Sequence, residues 1–432
     1  MTRRRFVNRM PLWIAIAASV VLTAVVVLVG VNLSSGEKRI QQVVRGGYAV
    51  EDPRFVNVMG VLLGPPVVEG NRYRVLRNGD EIFPAMLDAI RGARRSVTFE
   101  TYIYWSGEIG RRFADALAER ARAGVAVHVL LDWVGSSKME DALLEEMKAA
   151  GVQVLKYHPP HWAHLGRLNN RTHRKLLVVD GRVGFTGGVG IAEKWTGHAQ
   201  DPDHWRDTHV RIEGPVVAQM QAVFLDNWIK STGEVLVGDA YFPPLQAVGE
   251  GRAQVFSSSP TGGSESMELM VLMAITSAQR TIRISNSYFV PNELALHALT
   301  AALARGVKVQ IVVPGHWIDT ETVRSASRAT WGRLLQAGAE IDEYQPTMYH
   351  CKVLVVDEYL VSIGSTNFDN RSFRLNDEAN VNIYDADFAR QQVAIFEEDR
   401  ARAKRVDLAQ WQQRPWTERL QEQAAALLDG QL

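Results

Sequence analysis

Two stretches of this 432-residue chain match in residue type and spacing, and that duplication constrains the fold more than any other feature. His173-Arg174-Lys175 is followed by Leu176-Leu177-Val178-Val179 and then Asp180. His350-Cys351-Lys352 stands 177 residues later and is followed by Val353-Leu354-Val355-Val356 and Asp357. Both copies obey H-x-K-x-x-x-x-D. Residues two apart on a strand face the same way, so His and Lys of each copy share one face. The apolar run after them reads as a strand buried on both faces. After a six-residue gap the copies reach Gly187-Gly188-Val189-Gly190 and Gly364-Ser365-Thr366-Asn367.

The surroundings repeat as well. Helical patterns at 80–92, 109–123 and 139–150 alternate with strand patterns at 96–104, 125–132 and 152–157. The second copy follows helices at 266–278, 293–304 and 320–337, alternating with strands at 281–289, 307–313 and 340–344. Phe113, Leu117 and Ala121 fall on one helical face, and Val125, Val127 and Val129 on one strand face. Strands alternating with helices of this length predict an α/β body with a parallel or mixed sheet. Two such bodies in tandem imply duplication, with a site where they meet.

These residues resemble the phospholipase D superfamily, whose signature H-x-K-x4-D-x6-G-S-x-N occurs in duplicate. The likeness runs from about residue 72 to the C-terminus. It implies two α/β/α sandwich halves, at 72–247 and 248–405, with the active site at their interface. It also implies that one histidine attacks phosphorus and the other moves the proton of the alcohol. Such a two-step route suits an anionic diester that hydrolyses slowly. By that resemblance His173 is the nucleophile and His350 the general acid/base, although the near-symmetric motifs do not fix the order. Lys175 and Lys352 would hold the phosphoryl oxygens, in place of a metal or cofactor. The family places an acidic residue downstream of each motif to orient an imidazole. Aligning Arg206-Asp207-Thr208-His209-Val210 with Asp377-Glu378-Ala379-Asn380-Val381 assigns that task to Asp207 and Glu378. Asn367, Ser365 and Gly188 are expected to contact substrate, and Asp180 and Asp357 to be structural. Gly190 stands where the signature has Asn, which removes one amide donor from the first half.

Residues 12–33 form an uncharged apolar run. At 1.5 Å per residue it spans a bilayer core of roughly 30 Å. Arg3, Arg4, Arg5 and Arg9 precede it, and fewer basic residues follow closely. The positive-inside bias puts residues 1–10 in the cytoplasm and the body outside, with 11–33 a retained signal anchor in a bacterial inner membrane. A cleaved signal peptide would have a shorter apolar core and a small-x-small cleavage site. Residues 34–71 read as a juxtamembrane stalk whose later part packs on the body.

Hydrophobic residues make up 46% of the chain and charged residues 22%, enough for a sizeable core. Lys+Arg and Asp+Glu number 48 each, and this neutrality argues against a nucleic-acid partner, which favours a basic surface. The single Cys351 excludes an intramolecular disulfide. His158, His161 and His164 have a spacing that invites a metal, yet no carboxylate or cysteine completes the set, so a loop is expected. Trp105, Trp133, Trp162, Trp195 and Trp205 fall near strand ends, where core packing competes with a lipid entrance. The tail at 406–432 carries Trp416, Leu420 and Leu427 and is expected to dock on the body, with an interfacial helix as the rival.

Within the superfamily, Leu131-Asp132-Trp133-Val134-Gly135-Ser136, Trp205-Arg206-Asp207-Thr208-His209-Val210 and Tyr288-Phe289-Val290-Pro291 resemble the cardiolipin synthase branch. That branch implies transfer of a phosphatidyl group between phosphatidylglycerol molecules, with a membrane phospholipid as partner. A phospholipase D would use the same residues with water as acceptor. A nuclease of the superfamily is disfavoured by net charge and anchor, and an inactive lipid-binding scaffold by the intact second motif. Oligomeric state is not specified by the sequence; the duplication removes the need for a dimer to build the site.

Overall fold

A computed structural model describes residues 12–33, 40–159, 169–260 and 265–427. Helix α1 (Leu12–Leu33) carries no charge and is long and apolar enough to cross a membrane. Residues 40–50 lead to α2 (Pro53–Leu63), which begins at an Asp52 N-cap with Pro53 in the first turn. The spacing of Phe55, Val56, Met59 and Leu63 gives α2 an apolar face, and it is buried.

The first half runs β1 (Val68–Arg77), α3 (Asn78–Arg91), β2 (Ser96–Thr101), α4 (Glu108–Arg122), β3 (Ala126–Asp132), α5 (Asp141–Ala149) and β4 (Gln153–Tyr157). It continues through β5 (Arg171–Thr172), β6 (Lys175–Val179), β7 (Val183–Gly187), β8 (Thr208–Glu213) and α6 (Val217–Thr232). The second half is β9 (Gly251–Ser258), α7 (Ser266–Ser277), β10 (Thr281–Asn286), α8 (Glu293–Ala304), β11 (Lys308–Pro314), α9 (Glu321–Gln336) and β12 (Glu340–Tyr344). Then follow β13 (Lys352–Val356), β14 (Leu360–Gly364), α10 (Asn370–Arg374), β15 (Asn376–Tyr384), α11 (Ala386–Ala401) and β16 (Ala403–Arg405). The chain closes with α12 (Leu408–Gln412) and α13 (Trp416–Ala426).

Strand order shows the duplication directly. The first half reads β1-β8-β7-β6-β2-β3-β4 and the second β9-β15-β14-β13-β10-β11-β12, with β16 added at the edge. β2, β3 and β4 pair in parallel, as do β10, β11 and β12, while the remaining main-path pairs are antiparallel. The halves join through β1 and β9, giving one mixed sheet of 16 strands among the described residues.

Each motif strand is buried on both faces, and the alternation of its side chains explains why. Leu177 and Val179 of β6 enter the first half's core with α3, α4 and α5, whereas Leu176 and Val178 enter a core shared by both halves. In β13, Leu354 and Val356 join the second half's core with α2, α7, α8 and α9, and Val353 and Val355 join the shared one. The shared core, to which α6 adds Val217, Met220 and Val223 and α11 adds Phe388 and Ala389, fixes the halves against each other. Burying roughly eight such aliphatic side chains contributes about 1.5–3 kcal/mol each before the entropy cost of ordering them.

The tail docks on α9. Arg328 pairs with Glu418 and Glu422, Arg414 pairs with Glu422, and Trp411 fills the space left by the absent side chain of Gly332. Trp416 and Leu420 of α13 remain exposed, as does Leu427 just past its end. Of the histidine series, His158 sits in a bend stacked on Tyr157, while His161 and His164, like Trp162, lie outside the described residues.

Candidate active site

The two motifs meet because each half lends a strand end to the other. β5, just before His173, pairs in parallel with the start of β15, and His173 N–H donates to the Asp377 carbonyl at 2.9 Å. In the pseudo-symmetric place Arg206 bridges to Tyr349, and His350 N–H donates to the Arg206 carbonyl at 2.7 Å. Each histidine is thereby laid beside the acidic residue of the opposite half. Nδ1 of His173 lies 2.9 Å from Glu378 Oε1, and Nδ1 of His350 lies 2.7 Å from Asp207 Oδ2.

Burial raises both carboxyls, yet the facing histidines and the lysines outweigh it and hold Asp207 and Glu378 below their ordinary range. Both are therefore ionised. Burial pushes His173 down to about 4 and His350 to about 3, against the pull of their carboxylates. Neutral imidazoles facing carboxylates carry the proton on Nδ1, which leaves Nε2 with a lone pair.

Lys175 Nζ donates to the His173 carbonyl at 2.8 Å and Lys352 Nζ to the His350 carbonyl at 2.9 Å. Burial, then Lys352, brings Lys175 down to about 7. Lys352 is lowered by burial as well. Here the symmetry breaks. Lys352 also donates to Ser287 Oγ at 2.7 Å, and Ser287 donates to Asn367 Oδ1 at 2.8 Å. The position matching Ser287 is Tyr102, whose ring lies 5.6 Å from Lys175 Nζ and 5.1 Å from the His173 ring.

The glycines of the first half have a steric cause. A Cβ on Gly188 would lie 2.3 Å from Asp207 Oδ1. Ser365, in the matching place, instead donates to Glu378 Oε2 at 2.5 Å. Aspartate is one methylene shorter, so its carboxylate sits where a serine side chain would. Trp195 Nε1 supplies the missing donor to Asp207, at 3.0 Å. A Cβ on Gly190 would lie 2.8 Å from Ile103 Cβ and 3.2 Å from the Trp195 ring. The indole of Trp195, from the turn Glu193–Trp195, thus fills the space a side chain at Gly190 would need, while its N–H is spent on Asp207.

A cavity of about 370 Å³ brings His173, Lys175, His350 and Asn367 together with Tyr102, Trp195, Trp205, Arg171, Arg371, Tyr288 and Asp319. Glu378, Asp207, Lys352 and Ser365 stand behind this wall. Asp180 and Asp357 lie elsewhere. Asp180 accepts backbone N–H bonds from Arg94, Arg95 and Ser96, and Asp357 from Gln279, Arg280 and Thr281. Each clamps the start of the strand beside its motif.

Motif reasoning did not reach Tyr102, Ser287, Arg206 or Asp319. Tyr102 and Ser287 lie just past matching strands, and aligning the halves would have found them. Arg206 is buried, bound at 2.9 Å through both Nε and Nη2 to Asp399 of α11, with Tyr349 donating to the same carboxylate. An arginine beside a predicted acid carries no such signal in sequence.

The family model described as "Cardiolipin synthase, PLD-like domain" matches residues 86–228 and 271–400. The chain belongs to the cardiolipin synthase family of phospholipase D-like enzymes. A cardiolipin synthase of Geobacillus thermodenitrificans is 39% identical over 84% of this chain and 73% of its own length. One from Alkalihalophilus pseudofirmus is 34% identical over 84% of this chain and 73% of its own. Phosphatidylserine synthase of Haemophilus influenzae Rd KW20 shares the fold at a TM-score of 0.68 and 14% identity, covering 87% of this chain and 99% of that one. In this cardiolipin synthase-like enzyme both histidine motifs therefore sit on the fold of the family, two halves in one chain.

Proposed function

We propose that this chain is a membrane-anchored phosphatidyltransferase that moves a phosphatidyl group from one phosphatidylglycerol to another and releases glycerol. The observation that carries it is the crossed pair His173–Glu378 and His350–Asp207, whose histidines open onto one cavity with Lys175 in its wall and Lys352 just behind it. The family membership supports the substrate, and α1 supports confinement beside it.

In the first step Nε2 of His173 attacks phosphorus. The bond to the glycerol oxygen breaks, and His350 protonates that oxygen. His350 needs a proton for this, and an anionic phosphodiester beside it provides the reason to take one up. Negative charge favours protonated imidazole and ammonium over the neutral forms that burial alone imposes. Lys175 and Lys352, both buried, then balance charge developing on the phosphoryl oxygens, where such contacts are stronger than in bulk water. In the second step a glycerol hydroxyl of another phosphatidylglycerol gives its proton to His350 and displaces His173. Glu378 and Asp207 keep each ring in the tautomer that leaves Nε2 available. Asn367, held by Ser287, offers its amide to the phosphoryl group, and the N-terminus lies in the cytoplasm with the body on the outer face.

Purified protein incubated with phosphatidylglycerol vesicles, with and without chelator, tests this. Cardiolipin and equimolar glycerol are expected, insensitive to chelator and lost in His173→Ala. Phosphatidic acid as the sole product would make the chain a phospholipase D.

A further inference from the structure

The cavity wall carries one feature that phosphate binding does not explain. His173, Lys175, His350, Arg171 and Arg371 all suit an anion, yet Asp319 lines the same space. The other carboxylate in the lining, Asp369, is buried and occupied, capping α10 by accepting from Ser372 N–H at 2.7 Å. Asp319 is accessible. Tyr288 fixes it, its hydroxyl 2.7 Å from both carboxylate oxygens. A carboxylate offers about four acceptor sites, so beside Tyr288 and the backbone N–H groups of Asp319 and Thr320 one remains for a ligand in the cavity.

Position narrows the partner. Asp319 precedes α9 and Tyr288 follows Ser287, the residue that receives Lys352, so both stand on the His350 side of the cavity. Burial raises Asp319 above the ordinary carboxylate range, while the hydrogen bond from Tyr288 and the nearby Lys352 pull it back toward the ionised form. An anionic phosphoryl group is repelled by a carboxylate. A neutral polyol is not, because its hydroxyls donate. The histidine on this side is the one assigned to the alcohol.

We propose that Asp319, held by Tyr288, is the acceptor-binding residue, taking a hydrogen bond from the hydroxyl next to the reacting one in a glycerol-type vicinal diol. The inference rests on the transferase function proposed above. During transfer the reacting hydroxyl oxygen forms the new bond to phosphorus, and its proton passes to Nε2 of His350. The bond from phosphorus to His173 breaks, its electron pair returning to the imidazole. Asp319 exchanges no proton. It aligns the diol and so favours alcohol over water, because a group built to accept from a substrate hydroxyl discriminates against a molecule that lacks it.

The test gives the full chain phosphatidylglycerol vesicles with labelled glycerol and 1-propanol in equal amounts, and measures labelled phosphatidylglycerol against phosphatidylpropanol. Propanol lacks the neighbouring hydroxyl. Wild type should favour glycerol, and Asp319→Ala should lose that preference by about tenfold or more. Asp319→Asn serves if the alanine variant does not fold, and Tyr288→Phe should give a partial loss. Equal falls for both alcohols, or an unchanged preference, would overturn the role of Asp319 alone. Phosphatidate as the only wild-type product would overturn the transferase function and this inference with it.

Discussion

At the scale of single residues, the two halves solve one problem with different side chains. Glu378 reaches His173 with Ser365 behind it, and the shorter Asp207 reaches His350 because Gly188 makes room and Trp195 supplies the donor. Gly190 belongs to the same substitution. Placing Asn there should overpack the site against Ile103 and Trp195, costing about 1–3 kcal/mol. Thermal unfolding of Gly190→Asn is expected at lower temperature with no gain in turnover; an unchanged Tm with faster turnover would show that the glycine is a loss rather than a replacement. The lysines give a pH dependence. With Lys175 at about 7 in the free protein, its cation disappears as pH rises through that value, so kcat/KM, which reports the free enzyme, should fall on the alkaline side. In Lys175→Arg the charge persists, and any remaining activity should lack that falling limb.

At the scale of elements, the crossing of strand ends positions the chemistry. β5 and the Arg206–Tyr349 bridge carry each histidine across to the other half's acid. The Arg206–Asp399 pair locks one of these crossings to α11. Removing the carboxylate would leave a buried guanidinium unpaired, a loss of about 3–5 kcal/mol. Asp399→Ala should therefore unfold at lower denaturant, and its remaining folded fraction should turn over more slowly because Arg206 no longer holds the Asp207 backbone in place. Stability within error of wild type would contradict this. The alternation of helix and strand was legible in the sequence because apolar spacing follows each element's own period, and α8 and β12 begin and end where that spacing does. β7 and β14 were not legible as strands: Val183–Gly187 and Leu360–Gly364 are five residues long, buried on nearly every side chain, and read as the gap between motif and glycines. The exchange of acidic partners was hidden for another reason. Aligning the halves names Asp207 and Glu378, but which histidine each one faces depends on pairing between residues about 140 to 200 positions apart in the chain.

At the scale of the whole molecule, neither half holds a complete histidine–carboxylate pair, so under the mechanism proposed above the shared core of β6, β13 and α6 is a condition of catalysis as well as of stability. Duplication within one chain supplies what two separate subunits would otherwise have to bring together. The most direct test is to quench the turning-over enzyme in alkali, where a phosphorus–nitrogen bond survives, and map the modified peptide by mass. The account predicts a phosphatidyl adduct on His173, accumulating in His350→Ala and absent from His173→Ala. Turnover with no adduct on either histidine would contradict it.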